Sequence, residues 1–221
     1  MRAGAVFLRE ARLAFAGGGG PAAPAAFFIA SLTLAPLAIG QSPATLQAAG
    51  PGVICFAALL AVLQGAEKLF GEDVADGTLE AYGLSGLPMS VIAVAKVLGS
   101  AIATLWPLPL VGLGGGIAFG LPVEAAGLLA LALAAAIPGL AFLVAIAAAL
   151  SAGARRGGLV IALIAAPLAI PLMVFTASAG RAAAIGDAAA GANLLLTCAV
   201  SLFLTALSPF AISAALKARL E

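Results

Sequence analysis

The chain has 221 residues, 64% of them hydrophobic and 9% charged, with a formal net charge of +1. A soluble domain carries about 25% charged residues, so a water-facing surface cannot be built from this composition, and the chain reads as an all-α integral membrane protein. It has no histidine, which excludes His-ligated zinc or haem, His-based triads and imidazole proton relays.

Residues 2 to 16, RAGAVFLREARLAFA, read as an amphipathic helix. At 100° per residue Phe7, Leu8, Ala11, Ala14 and Phe15 share one face, while Arg2, Arg9 and Arg12 share the other. Such a helix suits the membrane interface, with Phe7 and Phe15 among acyl chains and Arg9 and Arg12 at lipid headgroups. The run GGGGP at 17 to 21 then turns the chain into the bilayer. It is not a phosphate loop, because that motif needs GxxxxGK[ST] and no lysine here follows a glycine.

An ionisable side chain at mid-bilayer costs about 2.5–3.5 kcal/mol, so charge-free windows mark the membrane spans. Six are expected, at about 21–40, 50–66, 92–119, 124–150, 158–178 and 191–214, each near the 20-residue length that a bilayer requires. The stretch GQSPATLQAAGPG, 40 to 52, is expected to be the turn between the first two. Arg2, Arg9, Arg12, Lys68, Lys96, Arg155, Arg156, Lys217 and Arg219 alternate onto one side of this arrangement, and only Arg181 falls on the other. The bias places both termini in the cytoplasm.

Between spans two and three runs EKLFGEDVADGTLEAYGLSGLPMS, 67 to 90. Five of the nine acids, Glu67, Glu72, Asp73, Asp76 and Glu80, lie in it. Thr78 is placed to cap a short helix, with Leu79 and Tyr82 on one side and Glu80 on the other. Glycines and Pro88 cut the segment into short pieces, so it reads as a rigid lever and an acidic handle for a partner with a basic cleft. Leu79 and Tyr82 are expected to supply the apolar contact to that partner. GLSG, 83 to 86, matches the GxSG pattern of intramembrane serine proteases, but no histidine exists to act as its base.

In the third span Gly112, Gly116 and Gly120 form a GxxxGxxxG ridge for close helix packing. Glu124 suits the positive N-terminal end of the fourth span. Cys55 and Cys198 lie in separate apolar runs with no CxxC pattern, as small buried residues rather than a redox pair. The predicted spans carry no ionisable group near their centres, so the chain has no evident energy source. It is expected to be non-catalytic, without a metal or a nucleic-acid partner, and to be driven by something else.

The order LREARLAFAGGGG, EKLFGEDVADGTLEAYGLSGLPM, ARRGGLVIALIAAPLAIPLMVF and SPFAISAAL resembles the cytochrome c maturation protein B family, the haem exporter B permeases of the ABC class. The resemblance runs from residue 2 to residue 216, and the EDxxDGTLE and RRGG-to-IPxxxF stretches are its most specific parts. It implies a six-span ABC-2-type permease in a bacterial inner membrane, a homodimer within its complex. A separate ATPase subunit would bind the ATP, and a haem-handling membrane subunit would work beside it to serve c-type cytochrome biogenesis. It also implies that the link between spans two and three carries the coupling helix, with Glu72, Asp73, Asp76, Thr78, Leu79, Glu80 and Tyr82 as the ATPase-coupling residues. Haem would be handled by the complex rather than held at an identifiable site of this chain, for which Met89, Met173 and Tyr82 are poor ligands. An ABC-2 exporter of another cargo, and a non-translocating scaffold of a haem-ligation complex, are the alternatives.

Overall fold

The computed structural model describes residues 3–18, 20–154 and 156–220; Arg2 and Arg155 lie outside them. Among the described residues ten helices follow in order: α1 (Ala3–Gly18), α2 (Ala22–Ile39), α3 (Pro43–Leu63), α4 (Lys68–Ala75), α5 (Thr78–Gly83), α6 (Met89–Thr104), α7 (Pro107–Ala118), α8 (Val123–Ser151), α9 (Gly157–Ala184) and α10 (Ala189–Leu220). Five runs, built on α2, α3, α8, α9 and α10, are long and apolar enough to cross a membrane. The pair α6 and α7 makes a sixth if counted as one span, bent by 42°. The expected third span is thus broken, at Leu105 and Trp106, where Pro107 opens a new helix.

The expected turn over 40 to 52 is much shorter. Ser42 accepts from the Thr45 N–H at 3.2 Å and starts α3 with Pro43 in its first turn. Thr45 to Gly52 are therefore helical, and Pro51 sits inside the helix.

The centre of the bundle is α8, which packs against α7, α9 and α10. Its Leu129, Leu133, Ala136, Leu140 and Ala145 are wholly buried. Contacts between apolar helices in lipid depend on close van der Waals fit, and glycines supply it here. A Cβ on Gly139 would stand 2.7 Å from Cα of Ser201 in α10, and the Gly139 N–H donates to Ser201 Oγ at 2.9 Å. A Cβ on Gly112 would stand 3.1 Å from Leu133 of α8, and one on Gly116 3.0 Å from Ala126. The predicted ridge therefore packs within the chain, but only over those two glycines. Gly120 leaves it: its φ of +82° turns the chain out of α7, and its carbonyl accepts from Gln47 Nε2 at 3.1 Å.

Charged residues gather at one end of the bundle. There α1 lies across α6, so closely that a Cβ on Gly99 would stand 2.7 Å from the Phe7 carbonyl oxygen. The helices α4 and α5, the C-terminal ends of α8 and α10 and the first turn of α9 complete that end. Gly20, at φ +56° just before Pro21, makes the corner from α1 into α2. The corner thus comes later than expected, at Gly20 and Pro21, because Gly17 and Gly18 continue α1.

Candidate functional site: a buried charge cluster

Lys96 in α6 is 1% exposed, and its Nζ lies 2.6 Å from Glu10 Oε2 of α1 and 2.6 Å from Asp73 Oδ2 of α4. The contact with Glu10 is a hydrogen bond. That with Asp73 is an ion pair only, because Oδ2 makes no aligned hydrogen bond among the described residues. Arg9 reaches the other Asp73 oxygen with Nη1 at 3.3 Å and donates to Tyr82 Oη of α5 at 3.0 Å. Its second nitrogen lies 3.9 Å from Asp76 Oδ2. The rings of Phe70 and Tyr82 flank Lys96 Nζ at 5.8 and 5.9 Å from their centroids, within range of a cation–π attraction.

An isolated charge in such a place would be prohibitive, but two cations and two buried carboxylates neutralise one another. Burial pushes the Glu10 carboxyl above its ordinary value against the pull of Lys96. Burial also raises the Tyr82 phenol, opposed by Lys96 and Arg9. For Arg9, burial works to lower the guanidinium, and Tyr82, Asp73 and Glu10 together outweigh it and hold it high. Asp76 at the edge is held low by its hydrogen bonding with Thr78.

The cluster changes the roles expected of several residues. Arg9 does not share a lipid-facing side with Arg12; it turns inward onto Asp73 and Tyr82 while Arg12 stays exposed. Phe7 packs against the core, and of the predicted interfacial anchors only Phe15 and Arg12 present exposed side chains. Asp73, Leu79 and Tyr82 are 3%, 3% and 1% exposed. They cannot form the outward handle and apolar contact expected of them, because this chain already covers them. Glu72, Asp76 and Glu80 do remain exposed on the α4–α5 segment, and Leu84, just past α5, is 90% exposed. Thr78 does not cap through its side chain: Gly77 occupies the cap position, and Asp76 Oδ1 accepts from the Thr78 N–H at 2.9 Å.

Glu10 and Lys96 make one of the two shortest ion pairs of the site, and sequence reasoning gave neither a role in it. Beside them opens a cavity of about 400 Å³, bordered by Glu10, Gln64, Glu72, Ser100, Ala101 and Val144 among others. This void borders α1, α4 and α6.

A family profile described as "CcmB protein" matches residues 1–219. The chain belongs to the CcmB family. Its relatives include proteins named "Heme exporter protein B". That of Pseudomonas aeruginosa is 40% identical over 213 residues, 95% of this chain and 93% of the relative. That of Bradyrhizobium diazoefficiens is 35% identical over 217 residues, 98% of each chain. That of Haemophilus influenzae is 37% identical over 198 residues, 90% of this chain and 89% of the relative.

In this CcmB-family chain, the acidic segment and the RRGG stretch meet at the charged end. The Glu67 carboxylate lies against Gly157 and Gly158 at the start of α9, where the helix dipole favours an anion. Nearby, Arg219 Nη2 donates to the Leu150 carbonyl at the end of α8 at 3.0 Å, a cation where that dipole favours one. Both contacts draw α4, α8, α9 and α10 into one charged plate.

Proposed function

We propose that this chain is the transmembrane subunit of an ATP-driven complex of the ABC-2 type. The complex serves haem export and delivery for c-type cytochromes at the outer face of the bacterial inner membrane. The charged end faces the cytoplasm, where a separate ATPase subunit docks on α4–α5. A second membrane subunit handles the haem. The observation that carries the reading is the exposed part of that segment, which presents the acids Glu72, Asp76 and Glu80 and, just past α5, Leu84 at 90% exposure. An exposed apolar side chain on an acidic segment suits a partner cleft that offers both apolar contact and basic residues. Family membership and the printed names of the relatives support haem as the cargo. The positive-inside bias supports the orientation. The lack of any phosphate-binding loop supports a non-catalytic role beside an ATPase.

The test is recruitment of the proposed ABC ATPase subunit, coexpressed with this chain and pulled down at several salt concentrations. Wild-type recruitment is expected to weaken as salt rises. Glu72→Lys with Glu80→Lys should weaken it at low salt and flatten that dependence, and Leu84→Ala should weaken it at every salt. Wild-type recruitment by all variants, together with normal c-type cytochrome assembly, would overturn the docking assignment.

A further inference from the structure

Resting on the docking assignment, we propose that Lys96 is a positioning residue. It holds α1 and the α4–α5 segment in fixed register on α6, so that a push on the exposed face of α4–α5 reaches α6 and its break at Leu105–Trp106.

Three observations carry this. First, one buried ammonium is shared at equal distance by carboxylates from two segments, Glu10 and Asp73, that lie 86 and 23 residues away in the chain. Arg9 closes the ring by joining α1 to α4 through Asp73 and to α5 through Tyr82. Second, backbone fit holds α1 to α6 closely at Gly99, but the cavity of about 400 Å³ leaves α1, α4 and α6 unfilled along one side. Third, a buried ion cluster is no more stabilising than well-packed apolar residues of the same volume, and its best-attested use is to specify register. Apolar side chains would fill this place as well, but they tolerate sliding. Paired charges do not, because each displacement separates a desolvated pair. The helix that receives the push is the one that breaks ten residues later with a 42° bend into α7. The lever thus has a fixed grip at one end and a joint at the other.

The first arm of the test uses the chain alone in lipid nanodiscs, read by amide hydrogen exchange. Lys96→Met leaves Arg9 as the one cation beside Glu10 and Asp73. The joint variant Glu10→Gln, Asp73→Asn, Lys96→Met removes every charge on Lys96 and its two partners, and so keeps the fold available for measurement. In the joint variant, exchange over residues 3–18 and 68–83 should rise together by about tenfold or more, with α8 to α10 unchanged. Unchanged exchange in α1 and α4 would overturn the lock whatever the docking partner does.

The second arm adds the ATPase subunit, with nitroxides at Ala81 and Ile117 in a chain whose Cys55 and Cys198 are alanine. Nucleotide should change the distance between the labels in the wild type. In the joint variant the ATPase should still bind, and that change should be lost. A wild-type distance change in the joint variant would overturn transmission through Lys96. Failure of the ATPase to bind the wild type would overturn the docking assignment, and with it the transmission, while the first arm still decides the lock.

Discussion

The carboxylate of Glu67 and the backbone of Gly157 are in contact across the charged end of the molecule. A Cβ on Gly157 would stand 3.1 Å from Oε1, and one on Gly158 3.0 Å from Oε2. The helix α9 begins without a side-chain cap of its own, since Arg156 makes none. An acid from the link between α3 and α4 supplies the negative charge its first turn favours.

Glu67→Gln should therefore cost about 0.3–1 kcal/mol of stability. Gly158→Val, which pushes the carboxylate away, should cost at least as much, and the double variant should lose less than the sum. Thermal unfolding in detergent measures all three. Strict additivity would mean that the glycines serve some purpose other than admitting Glu67.

Two glycines of α8 allow a comparison inside one helix. Around Gly127 a Cβ would meet nothing within 4 Å, whereas at Gly139 it would stand 2.7 Å from the backbone of Ser201. Gly127→Ala should be neutral or stabilise by up to about 1 kcal/mol. Gly139→Ala should lose about 1–3 kcal/mol by forcing α8 and α10 apart. Ser201→Ala, which removes only the acceptor of the Gly139 N–H, should lose about 0.6 kcal/mol. The order of the three in denaturant titration checks the packing of the bundle.

The buried cluster predicts a pH dependence of definite sign. Glu10 has its carboxyl raised by burial above the ordinary 4.5. Between that value and the raised one the folded state holds more protons than the unfolded state, so stability falls as pH rises through the window. Asp76 is lowered by its hydrogen bonding with Thr78, so its contribution is present above the ordinary value and is lost as pH falls through the folded one. Glu10→Gln should flatten the decline on the rising side and leave the loss at lower pH in place. Unfolding temperature against pH for both chains reads this directly.

Orientation is tested by labelling. Thr45, Asp187 and Ala75 are all exposed. In intact cells a cysteine at 45 or 187 should react with an impermeant thiol reagent, and one at 75 should react only after lysis. The reverse pattern would place the acidic segment outside and end the docking assignment.

The membrane segments were legible because lipid imposes one rule on every span, and the gaps between charges obey it. The breaks within them were not. Leu105 and Trp106 continue an apolar run without a glycine or a charge, and only Pro107 hints at a new helix start. At the charged end, the exposed acids Glu72, Asp76 and Glu80 stood out by type, but burial of Asp73, Leu79 and Tyr82 did not. Each short helix has two sides, and the sequence of six or eight residues does not say which one the protein itself covers. Lys96 and Glu10 escaped for a different reason. A lone lysine at the head of an apolar run looks like a span boundary, and its partner stands 86 positions away. No local spacing marks such a pair.

The break between α6 and α7 has an optical consequence. Trp106 is the only tryptophan in the chain, stands at the bend and is 57% exposed. The emission of an indole depends on whether its surroundings are wet or oily. Native fluorescence of the purified chain, with no label or substitution, therefore reports on a single point, and that point is the joint itself. Quenchers attached at different depths along lipid chains would locate it in the bilayer. A shift in its emission when a partner or lipid is added would come from the one place where the span is broken.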